Sequence, residues 1–148
     1  MLEVPSLAEM LDLLAPKLDF LSIGTNDLTQ FLFAADRSNP KLAERYDWLS
    51  PAILRFLRRV MQNTVGYDVD LGVCGEMGGR RLEALALMGL GIRRLSITPA
   101  AVGPIKELVR KVDLEEISKA MDLWLADPTT DIRARLQEWA QERGIETD

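Results

Sequence analysis

Short apolar runs alternate with longer stretches of helical periodicity, and they do so four times along the chain. Residues 1–4 form an apolar start. Ser6-Leu7-Ala8-Glu9 reads as a capping box, and Leu7, Met10, Leu11 and Leu14 follow at helical spacing until Pro16 ends the pattern. Residues 19–23 read as a second strand stopped by Gly24, and residues 24–49 as a loop with a short helix at 28–34. Ser50-Pro51 supplies an N-cap and a first-turn proline, behind which Ile53, Leu54, Leu57, Val60 and Met61 make one apolar face. A third strand at 70–73 runs into Cys74-Gly75-Glu76-Met77-Gly78-Gly79. A helix at 82–88 is broken by Gly89 to Gly91, a fourth strand covers 94–97, and Thr98-Pro99 opens the next helix.

The last third carries helices only. Asp113 and Glu116 form a second capping box ahead of an apolar face of Leu114, Ile117, Met121 and Trp124. Thr130 caps a final helix with Ile132, Leu136 and Trp139 inward, and Gly144 stops it. The Trp and Met positions are read as core. Four βα units imply an α/β fold with a parallel sheet, and their polar exit loops favour half of an eight-stranded barrel over a complete one. The expected architecture over residues 1–148 is therefore the C-terminal half of a (β/α)8 TIM-type barrel, followed by C-terminal helices.

Composition narrows the possible functions. With 148 residues, 47% hydrophobic and 28% charged, the chain can bury a real core and is not disordered. A net charge of −5 argues against nucleic acid as a partner. No apolar run approaches the roughly 18 residues of a membrane span, so no membrane contact is expected, and no signal peptide follows Met1. A single cysteine excludes an internal disulfide framework and suits a reducing, cytoplasmic setting. There is no histidine, so any step that needs imidazole must borrow it from another part.

Chemistry-bearing residues cluster where the expected strands end. Glu3 and Asp27 are about one βα unit apart and suit Mg²⁺, which takes one or two protein carboxylates and completes its octahedron with water and substrate. The bland alternative makes Glu3 an edge residue and Asp27 a cap. Asn26 offers an amide that donates and accepts, yet Asn26 or Asp27 equally well caps a helix beginning at Leu28. Arg37 could grip a carboxylate or phosphate through its fork, or simply be solvated. Cys74 lies at a strand exit beside Gly75. An ordinary thiol, with a pKa of about 8.5, is mostly protonated near neutrality and can donate a proton to carbon. Packing is the commoner fate of a free cysteine.

Taken together, Leu2-Glu3-Val4-Pro5, Ser22-Ile-Gly-Thr-Asn-Asp-Leu-Thr-Gln30, Ala34-Ala-Asp-Arg37 and Gly72-Val-Cys-Gly-Glu76 resemble the phosphoenolpyruvate-binding barrel of the phosphoenolpyruvate–protein phosphotransferases. These are the enzyme I family of the phosphotransferase system, and the likeness runs from Met1 to about residue 130. The phrase Tyr46-Asp-Trp-Leu-Ser-Pro-Ala-Ile-Leu-Arg55 and the stretch 89–111 look closer to the nitrogen-related branch. The resemblance implies a barrel that binds phosphoenolpyruvate with Mg²⁺ and passes the phosphoryl group to a histidine on another domain, then to a phosphocarrier protein, releasing pyruvate. Carried over, Glu3 and Asp27 match metal ligands, Asn26, Asp27 and Arg37 match substrate-binding residues, and Cys74 matches the acid that protonates the enolate carbon. Gly78-Gly79-Arg80 departs from the family's usual Ala-Gly-Asp.

Two other readings stand beside this one. Pyruvate phosphate dikinase and phosphoenolpyruvate synthase share the Thr-Asn-Asp-Leu-Thr-Gln and Cys-Gly-Glu elements, and a non-catalytic dimerisation module is the third possibility. On the first reading, the phosphohistidine and carrier-binding domains and the earlier barrel strands are absent, and the chain by itself is expected to be inactive. It is also expected to form a homodimer, driven by open sheet edges and by Ile23, Val73 and Ile97 on the barrel-facing side.

Overall fold

In the computed structural model, which describes residues 1–147 apart from the side chains of Ala43 and Glu44, three strands form a parallel sheet. They are β1 (Phe20–Gly24), β2 (Asp70–Cys74) and β3 (Leu95–Ser96), in that spatial order. The register sets Gly24 beside Cys74 and Cys74 beside Ser96. Leu2 adds a parallel bridge to Ile23 on the outer edge of β1. Its N–H reaches the Ser22 carbonyl at 2.7 Å, and its carbonyl accepts the Gly24 N–H at 2.9 Å. Four parallel segments thus lie side by side in chain order, but the first is a bridge and not the strand expected over 1–4. Pro5 explains the shortening: it opens α1 (Pro5–Ala8) and takes the chain off the sheet edge.

Helix ends follow the cap chemistry of the sequence with three corrections. Ser50 Oγ accepts from the Ala52 N–H at 3.3 Å at the start of α4 (Pro51–Thr64). Asp113 accepts from the Glu115 and Glu116 N–H groups at 2.9 and 3.0 Å, opening α7 (Leu114–Ala126). The expected return arm is missing, because Glu116 pairs with Arg143 at 3.1 Å. The Ser6–Glu9 capping box does not form: Val4 holds the N-cap position without a side-chain bond, and the helical pattern splits into α1 and α2 (Leu11–Leu14). Asp131, and not Thr130, caps α8 (Ile132–Glu142), accepting from the Ala134 N–H at 3.0 Å. A carboxylate beside the positive helix end outcompetes a neighbouring hydroxyl. Gly144 does close that helix, at φ +62°, with Ile145 N–H bonded to the Ala140 carbonyl at 2.9 Å.

The core lies between the sheet and its helices. Ile53, Leu54, Leu57 and Val60 of α4 are buried, while Met61 is only half-buried. Every residue of α5 (Arg81–Gly89) after Arg81 is buried, which makes it the central helix. Ile117, Met121 and Leu125 of α7 and Ile132, Leu136 and Trp139 of α8 pack around it, whereas Leu114 is exposed and Trp124 partly so. Met1 and Met10 lie on the surface, so not every methionine is core.

Gly89 marks the tightest contact, since a Cβ there would lie 2.5 Å from Met121 Cγ and 3.2 Å from Ile117 Cγ1. Gly89→Ala improves helix propensity by about 1 kcal/mol but overpacks α5 against α7, at a cost of roughly 1–3 kcal/mol. The expected net result is a lower denaturation midpoint. A midpoint equal to or above that of the parent chain would refute the close approach.

Strand alternation assigns the two sheet faces. Leu21, Ile23 and Val73 are buried against the helices, and Ile97 packs on the same core. Phe20, Ser22, Asp70, Gly72, Arg94 and Ser96 line the opposite, open face. Ile23, Val73 and Ile97 therefore do not face the open side as expected from sequence. The helix layer covers the other face of the sheet, so the apolar positions of the strands turn to the helices and the polar and small ones to the open side. The open face is mainly small and polar, with an ion pair between Arg94 and Asp70, and Phe20 is an exposed large apolar side chain on it.

Candidate functional site

The site begins where β1 ends. Gly24 is both the last strand residue and the N-cap of α3 (Thr25–Phe33), so helix follows strand with no loop between them. Thr25 Oγ1 donates to the Cys74 carbonyl at 3.2 Å, tying this first helical turn to the end of β2. Gly75 follows Cys74 at φ +114°, and a Cβ there would lie 2.8 Å from Thr25 Oγ1 and 3.3 Å from Asn26 Oδ1. Only glycine satisfies both the backbone conformation and the close approach. The helix starts three residues earlier than the pattern suggests. Asn26 and Asp27 are consequently first-turn residues, and the capping alternative does not hold.

Asn26 is the most constrained of the group. Its Nδ2 donates to Glu76 Oε1 at 3.4 Å, and its backbone carbonyl accepts the Tyr46 hydroxyl at 2.6 Å. Its Oδ1 is buried and has no partner, leaving an acceptor free for a ligand's donor or a water. Burial pushes the Tyr46 hydroxyl above its ordinary pKa, against the opposing pull of the Trp48 indole and Arg37, so Tyr46 acts as a donor at neutral pH.

Asp27 is less confined. Its Oδ1 lies 3.9 Å from Arg37 Nη2, and both side chains are nearly half exposed. Such a pair is weak in water and leaves both groups able to turn to a ligand. The Arg37 backbone N–H donates to Gln30 Oε1 at 3.2 Å, so α3 anchors the segment that presents the guanidinium.

Glu3 and Cys74 flank Gly24 on opposite sides. Glu3 lies over Gly24, where an added Cβ would sit 2.7 Å from its Cγ and 3.0 Å from its Oε1. Cys74, paired in register with Gly24, is half-buried. Its Sγ lies 3.4 Å from Met1 Sδ and 3.5 Å from the Ile23 carbonyl oxygen. All five residues expected from sequence thus gather around one strand end: Asn26, Asp27 and Arg37 on or just beyond α3, with Glu3 and Cys74 beside Gly24.

Among the described residues, no group of three or more His, Cys, Asp or Glu side chains converges as a ready-made metal cage. That composition excludes a structural zinc-type site. Mg²⁺ asks for less, since it takes one or two protein carboxylates and keeps water or substrate oxygens on its remaining positions. Glu3 over Gly24 and Asp27 in the first turn of α3 put two carboxylates near this strand end.

A cavity of about 350 Å³ opens beside this cluster, lined by Asn26, Arg37, Tyr46, Glu76, Arg80 and Arg133 among others. Sequence reasoning assigned no role to Tyr46, Glu76 or Arg133. Tyr46 stood within a phrase that was noted only for its likeness to one branch, and Arg133 lies far along the chain with no local signal. Arg80, flagged as a departure, stacks its guanidinium 5.7 Å from the Trp48 ring and pairs with the buried Glu83 at 3.5 Å. The arginine at this position thus has local partners.

The sequence profile of the family described as PEP-utilising enzyme, PEP-binding domain, matches residues 1–114. The chain is 41% identical over 146 residues to a protein of Salmonella typhimurium named phosphoenolpyruvate-dependent phosphotransferase system, covering 98% of this chain and 20% of that protein. It is 46% identical over 119 residues to the phosphoenolpyruvate-protein phosphotransferase of Borreliella burgdorferi, covering 80% of this chain and 21% of that one. A multiphosphoryl transfer protein of Xanthomonas campestris is 46% identical over 110 residues, 74% of this chain and 13% of its own length. The chain thus spans about a fifth of the length of the first two relatives.

Proposed function

Because this chain belongs to the PEP-utilising enzymes through their PEP-binding domain, we propose that it is the C-terminal part of the phosphoenolpyruvate-binding (β/α)8 barrel of a phosphoenolpyruvate–protein phosphotransferase. Four parallel segments in chain order, with helices on one face and an open polar face on the other, support the half-barrel reading. The observation that carries the functional reading is the gathering of Glu3, Asn26, Asp27, Arg37 and Cys74 around the C-terminal end of β1. Barrel enzymes place their chemistry at this end of the strands.

In this reading Arg37 holds the phosphoryl or carboxylate oxygens of phosphoenolpyruvate, and the free Asn26 Oδ1 and the Nδ2 beside Glu76 orient it. Glu3 and Asp27 would hold Mg²⁺, which when bound would supply positive charge against the phosphoryl oxygens. The bridging C–O–P linkage breaks on the phosphorus side, and a new P–N bond forms to a histidine supplied from outside this histidine-free sequence. The electron pair left on oxygen is delocalised as the enolate of pyruvate. Cys74 delivers its thiol proton to the methylene carbon, giving pyruvate, and regains a proton from solvent. The phosphoryl group then passes to a phosphocarrier protein. We place this chemistry in the cytoplasm and assign a second copy of the chain as partner. No helix among the described residues is long and apolar enough to cross a membrane.

The test is incubation of the complete protein with radiolabelled phosphoenolpyruvate and Mg²⁺. Label on a histidine outside this chain, chaseable to a carrier protein and blocked by EDTA, is expected. Labelling that requires ATP would overturn the reading in favour of a dikinase or synthase.

A further inference from the structure

Helix α8 lies beyond the part of the chain that the family profile matches, yet it supplies one wall of the site's cavity. Its Arg133 Nη2 donates to Asp47 Oδ1 at 2.8 Å and lies 3.4 Å from Glu83 Oε1, with Nη1 3.5 Å from the same Glu83 oxygen. Glu83 is only 2% exposed and sits on the central helix α5, so it offers a fixed anchor. Asp47 belongs to the segment between α3 and α4, and its Oδ1 also accepts the Leu49 N–H at 3.0 Å. Tyr46, the preceding residue, donates the 2.6 Å hydrogen bond to the Asn26 carbonyl, and its ring meets Trp48 edge-on at 5.6 Å. These contacts run without a gap from α8 through α5 and the segment 46–48 to the first turn of α3. A guanidinium fork suits the junction, because it can hold two carboxylates in fixed directions at once.

Resting on the phosphoenolpyruvate reading above, we propose that Arg133 is a positioning residue for substrate binding. It holds Tyr46–Trp48 against the buried Glu83, so that the Tyr46 hydroxyl keeps the first turn of α3, and with it Asn26, at the cavity. Arg133 acts through Asp47 and Tyr46, and the C-terminal helix becomes part of the site. Without it the α3 turn keeps its helical bonds and its ties to Cys74 and Glu76 but loses the short bond that holds it from the Tyr46 side. The expected consequence falls on substrate affinity rather than on the chemical step.

The test is a double-mutant cycle in the complete protein with Arg133→Gln, Tyr46→Phe and both together, read as KM for phosphoenolpyruvate, kcat and denaturation midpoint. Each single variant is expected to raise KM by about tenfold, the scale of one lost charge-assisted or buried hydrogen bond, with kcat within about twofold. The double variant is expected to match the worse single one, because both changes cut the same chain of contacts. Independent, multiplying effects on KM would overturn the proposal, as would a fall in midpoint with KM unchanged. If Arg133→Gln fails to fold because Glu83 is left short of a partner, Arg133→Lys takes its place in the cycle. Lysine keeps the charge but not the fork, so a smaller rise in KM with the same non-additivity is expected, and additivity again refutes. Asp27→Ala in the same assay separates the two layers of argument. If that variant turns over normally, the site reading itself fails, whatever the cycle shows.

Discussion

Asp27→Ala is expected to lower Mg²⁺-dependent phosphotransfer by the complete protein by at least about a thousandfold, while leaving the fold intact. The size follows from what the carboxylate does in the proposed site. It is one of two acidic side chains available to the ion, and it also balances Arg37 at 3.9 Å. Removing a single electrostatic group from a transition state of this kind costs on the order of a hundredfold to a thousandfold, and loss of the ion adds to that. Stability is expected to change little, because the side chain is nearly half exposed and its one ion pair is long. A favourable charge in the first turn of α3 is lost, worth about 0.3–1 kcal/mol. Circular dichroism and the denaturation midpoint check the fold, and steady-state pyruvate release at several Mg²⁺ concentrations checks the chemistry. Turnover close to that of the parent protein would remove Asp27 from the metal site. Partial recovery at high Mg²⁺ would support it, since a weakened site can be refilled by mass action.

The parts of this arrangement that were legible in the sequence are those written in local patterns. Ser50-Pro51 fixes the start of α4 because a hydroxyl and a proline act on neighbouring amides, and Gly144 fixes the end of α8 for an equally local reason. The apolar periodicities of α4 and α8 likewise require only near neighbours. The order of the strands follows from βα alternation. The errors arise where the outcome depends on contacts distant in sequence. Whether Asn26 caps a helix or sits inside it is decided by Gly24, whose backbone is held by Leu2 on one side and Cys74 on the other. The face to which Ile23 and Val73 point depends on which side of the sheet the helices cover, and that is set by packing between elements far apart in sequence. Arg133 reaches the cavity from 86 residues beyond Asp47, a separation that no periodicity records.

The site residues also differ in how their roles could be anticipated. Glu3, Asp27 and Arg37 are charged groups near strand ends, whose types leave edge, cap and solvated roles open until the family resemblance points to a metal and an anionic substrate. Tyr46 carries no charge, and its part depends on a 2.6 Å bond to a backbone carbonyl across the mouth of the site. Gly24 and Gly75 matter through the atoms they lack, one leaving room for Glu3 and the other for Thr25 and Asn26. Such roles become visible only once the backbone is placed. They explain why a cluster of individually ordinary residues acquires a defined geometry.

Replacing Cys74 with serine is expected to separate substrate binding from product formation. The thiol sits at the exit of β2, half-buried, with the soft Met1 sulfur 3.4 Å and the Ile23 carbonyl oxygen 3.5 Å from its Sγ. Neither contact is one that a hydroxyl of similar shape would be unable to tolerate. Substrate binding, which is assigned to Asn26, Asp27 and Arg37, is therefore expected to change by no more than about threefold. The proton is a different matter. An alcohol holds its proton far more tightly than a thiol, and removing a positioned general acid costs roughly a hundredfold to ten-thousandfold. Pyruvate formation should fall by at least about a hundredfold, and solvent deuterium should enter the methyl group of pyruvate correspondingly slowly. Measuring phosphoenolpyruvate affinity by titration calorimetry beside single-turnover pyruvate release tests both halves on one protein. Equal losses of affinity and turnover would show that Cys74 serves to pack the strand end. Unimpaired pyruvate formation would show that the proton reaches carbon from another group.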